Sequence, residues 1–325
     1  MAHATGPDRN LALEAVRTTE AAAIAAWRWL GRGDEEAADR AAVEAMRETL
    51  HGLAIDGTIV VGEPTQGAAG KLIWGERVGL GSGPDVAVAL LALEGPTIIA
   101  KGESNGLSVI AMTENGGFLP VPHVYMKKIA VGPGLPAGVV DVDASPADNL
   151  KALAKAKGVA VGDLVVCTLD RPRHQDLIAK IREAGARILL IADGDVSAAI
   201  AAALPKTGVD LFLGIGNAPQ GVLAAAALVC VGGQMQARLV FRSDAERAQA
   251  TDHGIAKLDR KYTGADMAWG DVTFAATGIT DGHTLAGVRP DGGGEVTHSL
   301  VLRSSTGTLR YIEAHRKFGQ ARGAR

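Results

Sequence analysis

Two cysteines in a chain of 325 residues, Cys167 and Cys230, are too few to frame a disulfide scaffold. Both lie inside apolar runs and read as buried free thiols. Aromatic residues make up only 4% of the chain, which leaves the core to small aliphatic side chains. Neither sign of charge dominates: the formal net charge is −3, with acids and bases interspersed. That balance gives no broad positive field of the kind non-specific nucleic-acid binding needs, so nucleic acid is not expected as a partner. No apolar stretch reaches the roughly 18 residues of a membrane-spanning helix, and residues 1–10 lack the basic-then-apolar order of an export signal. The expectation is a cytoplasmic protein without a membrane partner. His51, His123, His253, His283 and His298 are scattered without ligand spacing, which argues against a transition-metal site built on histidine.

What the chain has in abundance is glycine, 42 residues, together with alanine-rich helical patterns. Many tight turns and close backbone approaches to a ligand follow from that composition. Apolar residues at helical spacing predict two opening helices over residues 11–30 and 34–50, joined by the turn Gly31-Arg32-Gly33. Four β-rich runs, 58–61, 86–93, 107–112 and 125–131, are expected to form a sheet beneath those helices. After Gly132-Pro133-Gly134 the rhythm becomes an alternation of strand and helix. Helices are expected at 147–157, 174–184, 196–204 and 219–230, with strands at 164–169, 188–192 and 210–214. Further strands are expected at 238–241, 271–276, 298–303 and 309–312, and a charged surface helix or insertion at 244–261. There is no internal repeat. The expected division is an N-terminal α+β domain over 1–138 and a C-terminal α/β domain over 139–325, with an extensive shared interface.

In a layered α/β unit, ligand groups gather at the carboxyl ends of strands, where helix N-termini also point. Three loops qualify. Asp193-Gly194-Asp195 can hold sugar hydroxyls through charge-assisted hydrogen bonds or can cap the following helix. Asp170-Arg171-Pro172-Arg173-His174 carries two guanidinium forks suited to phosphate oxygens. The loop from Gly214 through Gly216 to Gln220 and Gly221 can turn backbone N–H groups toward an anion, although Pro219 does not fit a dinucleotide fingerprint.

Several longer stretches resemble one family over nearly the whole chain. They are Arg17-Thr18-Thr19-Glu20-Ala21-Ala22, Leu30-Gly31-Arg32-Gly33-Asp34 with Ala38-Asp39, Ile55-Asp56-Gly57-Thr58-Ile59-Val60-Val61-Gly62-Glu63, and Tyr125-Met126 with Val131-Gly132-Pro133-Gly134. Arg171-Pro172-Arg173-His174, Asp193-Gly194-Asp195-Val196 and Ala275-Ala276-Thr277-Gly278-Ile279-Thr280 complete the set. Together they resemble class II fructose-1,6-bisphosphatase. The resemblance implies an α/β fold of the layered αβαβα sandwich type shared by fructose bisphosphatase and inositol monophosphatase-like sugar phosphatases. It also implies dependence on Mg²⁺ or Mn²⁺, a homo-oligomer (dimer or tetramer), and hydrolysis of the 1-phosphate of a sugar bisphosphate. By the same resemblance Asp34, Glu63 and Glu94 are the catalytic and metal-holding acids. Tyr125, Arg171, Arg173, Asp193, Asp195, Gly214, Gly216 and Gln220 are implied to bind the phosphorylated sugar.

The chain departs from the family pattern at the metal. After Gly62-Glu63 it reads Pro64-Thr65-Gln66-Gly67-Ala68-Ala69-Gly70, without the expected acids. The Asp-Pro-Ile-Glu-Gly-Thr motif reads Leu91-Ala92-Leu93-Glu94-Gly95-Pro96 with Thr97 one place late, and Ala-Pro-Glu-Gly reads Ala218-Pro219-Gln220-Gly221. Leu91 offers no oxygen, Pro96 no hydroxyl, and Gln220 no charge, so hard divalent cations should bind less tightly or not at all. Asp85, on the strand carrying Leu91, sits about 20 Å from it and is a poor substitute; Glu103 and Thr97 are left open as replacements. Three readings follow: a phosphatase with a rebuilt metal site, a non-hydrolysing paralogue that senses phosphosugar or modulates an active relative in a mixed oligomer, and a metal-free enzyme using His174, Tyr125, Arg171 and Asp193.

Overall fold

The computed structural model describes residues 11–64 and 70–317. The chain's opening and the neutral segment 65–69 expected to replace the family's acidic loop lie outside the described residues.

The helices α1 (Ala12–Trp27) and α2 (Glu35–His51) form as their apolar spacing predicts. Gly31 and Gly33 make the turn between them at positive φ, 69° and 72°. The chain continues through β1 (Asp56–Val61), β2 (Arg77–Val78), β3 (Asp85–Glu94), the short α3 (Pro96–Lys101), β4 (Leu107–Phe118) and β5 (Tyr125–Val131). The alternating part follows as α4 (Pro146–Lys157), β6 (Val165–Leu169), α5 (Gln175–Glu183), β7 (Arg187–Ile191), α6 (Asp195–Ala203), β8 (Leu211–Asn217), α7 (Ala218–Val231) and β9 (Gln234–Val240). The remainder is α8 (Asp244–Asp252), β10 (Tyr262–Thr263), α9 (Gly264–Met267), β11 (Ala268–Gly278), β12 (Arg289–Asp291), β13 (Gly294–Arg303) and β14 (Thr308–Lys317).

These strands make two mixed sheets. The first has the order β12-β13-β11-β4-β3-β1-β2, with β14 also on β13; the second runs β10-β9-β5-β8-β6-β7. β1 is parallel to β3, and β6 is parallel to β7 and β8. The expectation that residues 125–131 join the sheet under the opening helices is not met. β5 pairs antiparallel with β8 and β9 in the second sheet. The reason lies between β4 and β5, where Pro120 and Pro122 cannot donate to a ladder and the chain leaves the first sheet. β11 then returns to the first sheet and pairs with β4 along almost its full length, from Ala268 opposite Phe118 to Gly278 opposite Leu107. Sheet membership therefore does not follow chain order: residues 268–317 belong with 56–118.

Three apolar cores hold the layers together. The first joins α1 and α2 to one face of the first sheet through side chains such as Val43, Met46, Ile59 and Ile110. The second fills the space between the sheets with α6 and α7, and the third packs α4 and α5 on the far face of the second sheet. β3 is buried on both sides and accordingly reads as a continuous apolar run from Val86 to Leu93. The Arg17-Thr18-Thr19-Glu20 stretch turns out to pin α1 onto the sheet. Thr19 Oγ1 meets Thr277 Oγ1 at 2.7 Å, Thr277 meets Ser299 Oγ at 2.8 Å, and Glu20 accepts from Thr297 and Arg316. These buried hydroxyls and carboxylate satisfy one another, as buried polar groups must.

Phe274 of β11 is fully buried in the core between the sheets. Phe274→Ala is expected to lower unfolding free energy by about 3–5 kcal/mol, read from the urea midpoint.

Candidate active site

Glu63 lies two residues past β1 and Glu94 ends β3, so the parallel pairing of these strands brings both acids to the same end of the first sheet. Both carboxyls are buried, Glu63 at 6% exposure and Glu94 at 1%. Glu63 Oε1 accepts the Ala92 N–H at 2.7 Å. Burial, with the Asp39 carboxylate adding repulsion, pushes the Glu63 carboxyl up to about 8. Asp39 on α2 is itself raised by burial. Glu94 crosses to the second half of the chain: its Oε1 accepts from Val196 N–H at 2.8 Å and its Oε2 from Ser197 N–H at 3.4 Å. Gly194 precedes α6 with φ 104° and brings no side chain, so Glu94 serves as the acceptor for the first turn of α6. Desolvation, with repulsion from Asp195 and Asp193, raises the Glu94 carboxyl to about 8 against those backbone bonds.

Asp34 is placed differently. It is exposed, and its Oδ1 accepts the Ala37 N–H at 2.9 Å as the N-cap of α2. Among the described residues no three His, Cys, Asp or Glu side chains are grouped as a ready metal-holding set. Leu91 is buried in the core between the sheets. Asp85 is exposed at the opposite end of β3 from Glu94. Thr97 sits in the first turn of α3 and Glu103 just beyond that helix, both half-buried. For a hard cation the oxygen donors that fit by chemistry are the desolvated carboxylates of Glu63 and Asp39.

The second sheet gathers the other residues. Tyr125, Arg171, Arg173, Asp193, Asp195, Gly216 and Gln220 all line one cavity of about 340 Å³ at the carboxyl ends of β6, β7 and β8. Tyr125 enters it because β5 runs antiparallel to β8, which sets Tyr125 opposite Asn217. Arg171 Nη2 lies 3.3 Å from Asp193 Oδ2, while Asp193 Oδ1 accepts its neighbour Gly194 N–H at 2.9 Å. Burial raises the Asp193 carboxyl, and the backbone bond and Arg171 work against that rise. Arg173 Nε donates to Ile215 O at 2.9 Å, and its guanidinium sits 5.0 Å from the centre of the Tyr125 ring. Asp195 is 4% exposed and pairs with the wholly buried Lys128, whose Nζ also donates to Asn217 O at 2.9 Å. Asp195 Oδ1 and Gln220 Oε1 are buried without a partner among the described residues.

Gly214 lies away from this cavity and faces the His174 ring. His174 is buried and engaged at both nitrogens. Ile215 N–H donates to Nε2 at 2.8 Å, which places the proton on Nδ1, and Nδ1–H donates to Leu169 O at 2.8 Å. Burial depresses its pKa, with the Arg173 charge adding to the effect. A neutral imidazole with both positions occupied holds the loop together and leaves no nitrogen for proton transfer.

Three residues escaped the sequence reading. Lys128 was hidden in a strand beside Lys127, where only its place among apolar neighbours hinted at burial; Asn217 contributes to the cavity from the end of β8. Asp39 sat inside a quoted motif, but its closeness to Glu63 required the fold.

The arrangement defines a layered α/β protein with an arginine- and carboxylate-lined pocket at its strand ends, a chemistry suited to a phosphorylated polyol. Comparison with known proteins identifies the family. The family described as bacterial fructose-1,6-bisphosphatase, glpX-encoded, matches residues 9–316. A Synechococcus sp. (strain JA-2-3B'a(2-13)) protein named D-fructose 1,6-bisphosphatase class 2/sedoheptulose 1,7-bisphosphatase is 42% identical, covering 96% of this chain and 97% of its own. A protein of the same name from Trichodesmium erythraeum (strain IMS101) is 38% identical, covering 97% and 98%. The chain belongs to the glpX-type, class II fructose-1,6-bisphosphatase family.

Two substitutions test the geometry. A Cβ on Gly216 would overlap Asp195 Oδ2, so Gly216→Ala is expected to cost about 1–3 kcal/mol in thermal or urea denaturation. His174→Phe leaves the Ile215 N–H without an acceptor and should cost about 1–3 kcal/mol at pH 8. Because the folded pKa of His174 is lowered, the unfolded chain binds the proton first; its contribution is complete above about pH 6.5 and fades as pH falls. The H174F protein should therefore show a shallower loss of Tm between pH 7 and 5 than the unaltered chain.

Proposed function

We propose that this protein binds a sugar phosphate in the cavity at the ends of β6, β7 and β8 and is a sugar-bisphosphate phosphatase whose hydrolytic step is slow. The observation that carries the reading is the meeting of Tyr125, Arg171, Arg173, Asp193, Asp195 and Gln220 around one space. Arginine forks suit phosphate oxygens, and the unpartnered oxygens of Asp195 and Gln220 suit sugar hydroxyls. Family membership and the relatives' names point to fructose 1,6-bisphosphate and sedoheptulose 1,7-bisphosphate as the first compounds to try. The stacking of α1 and α2, the first sheet, α6 and α7, the second sheet, and α4 and α5 supports the five-layer sugar-phosphatase type. In this reading the half containing residues 1–138 supplies the metal-side acids and the half from 139 supplies the phosphosugar loops. A cytoplasmic homo-oligomer is part of the same proposal.

Family membership implies a divalent cation. Glu63 with Asp39 would hold Mg²⁺ or Mn²⁺, which when bound polarises a phosphoryl oxygen and acidifies water. In this reading the slow step follows from the chain's own residues. Leu91 places a hydrocarbon where the family has an acid, Asp34 spends one oxygen on the α2 cap, and Glu94 spends both oxygens on α6. Gln220 keeps an acceptor without a charge. Arg171 and Arg173 anchor a phosphate, and His174 holds their loop, so it is not a proton donor in this reading.

The test is phosphate release from fructose 1,6-bisphosphate with Mg²⁺ or Mn²⁺, beside the Synechococcus relative. The expected kcat/KM is about 100-fold or more below the relative's, roughly 2.7 kcal/mol in barrier. Turnover within about tenfold of the relative would remove the claim of a slow step. Complete absence of turnover with measurable fructose 6-phosphate binding would favour the non-hydrolysing reading, to which the buried Leu91 already points.

A further inference from the structure

Lys128 stands in the middle of β5 with its side chain wholly buried, between two sheet neighbours and beneath α6 and α7. A buried ammonium is costly unless it is paired and hydrogen-bonded. Here its partners are Asp195 Oδ2 and the Asn217 carbonyl. Gly216 permits the carboxylate to lie this close, since a side chain there would occupy the same space. The consequence is a division of labour within one carboxylate. Oδ2 is held by the lysine, while Oδ1, also buried, has no partner among the described residues. The Oε1 of Gln220 is in the same condition, and both residues line the same cavity.

We infer that Lys128 is a positioning residue that turns Asp195 so that its free oxygen and that of Gln220 present paired acceptors, making the cavity select a phosphate ester that carries hydroxyl donors. This inference rests on the reading of the cavity as a phosphosugar site and deepens it by assigning its two ends. The phosphate lies toward Arg171 and Arg173, and the hydroxyl-bearing carbons lie toward Asp195 and Gln220. Two desolvated acceptors left empty carry a penalty that a hydroxyl removes and an alkyl chain does not. Lys128 touches no ligand in this account; it acts through Asp195.

Isothermal titration of the full chain with fructose 6-phosphate and with hexyl phosphate, both in Mg²⁺ buffer, tests the assignment. The two probes share a six-carbon monophosphate, and only the first carries hydroxyls. The unaltered protein is expected to bind fructose 6-phosphate at least about tenfold more tightly, near 1.4 kcal/mol. Lys128→Met and Gln220→Leu should each weaken fructose 6-phosphate by about tenfold and leave hexyl phosphate within about twofold. The double variant K128M/D195N, which removes the unpaired buried charge, gives the same readout if Lys128→Met does not fold. A merely structural role for Lys128 would weaken both probes equally, and that result overturns the inference. Equal affinity of the unaltered protein for both probes overturns it too, while leaving the cavity as a phosphate-ester site. If neither probe binds, the phosphosugar reading falls with it.

Discussion

The hydrogen bonds from the first turn of α6 to Glu94 tie the two halves of the molecule together. Glu94 ends a strand of the first sheet, and α6 begins with the Asp193-Gly194-Asp195 loop on the second. A helix opening on a bare glycine leaves its first N–H groups without a local cap, and a carboxylate from a distant strand supplies the acceptors. The position of the pocket's acidic wall is thereby set from the other sheet. The same tie places a nearly inaccessible carboxylate beside Asp193 and Asp195, which explains its strongly raised pKa.

Acids in this protein are thus divided between structure and chemistry in a way that residue type alone does not reveal. Asp34 caps α2, Glu20 fastens α1 to β13 and β14, and Glu94 caps α6. Glu63 stays desolvated, with the Asp39 carboxylate and the Ala92 N–H as its polar influences. The cavity at the ends of β6, β7 and β8 has the opposite balance: arginines and a buried lysine accompany its acids. Its charges are paired in part, and what is left over is acceptor capacity at Asp195 and Gln220.

Much of this was legible in the chain. The two opening helices, the alternation after residue 132 and the three strand-end loops appear where periodicity and turn residues put them, because local propensity and burial agree there. The short elements were harder. β2, β10, α3 and α9 are too brief to carry a period, and the exposed end of the charged 244–261 region is helical only over Asp244–Asp252. β5 has a strand's sequence in either sheet, so its pairing could not be read from alternation. The candidate site divides the same way: residue type marks the arginine and acid loops that line the cavity, whereas Lys128 and Asp39 stand in no turn or glycine-rich loop that would mark them.

By itself the sequence determined the family, the apolar faces and the strand-end loops in which arginine, acid and glycine stand together. These properties depend on spacing and chemistry within short stretches. Only the tertiary structure decided which sheet took β5, which carboxylates were consumed in capping helices, and which oxygens were left without a partner. Those outcomes depend on contacts between residues far apart in the chain, such as Glu94 with Val196 and Lys128 with Asp195, and burial then fixes their energetic weight because an unpaired polar atom is costly only where water cannot reach it.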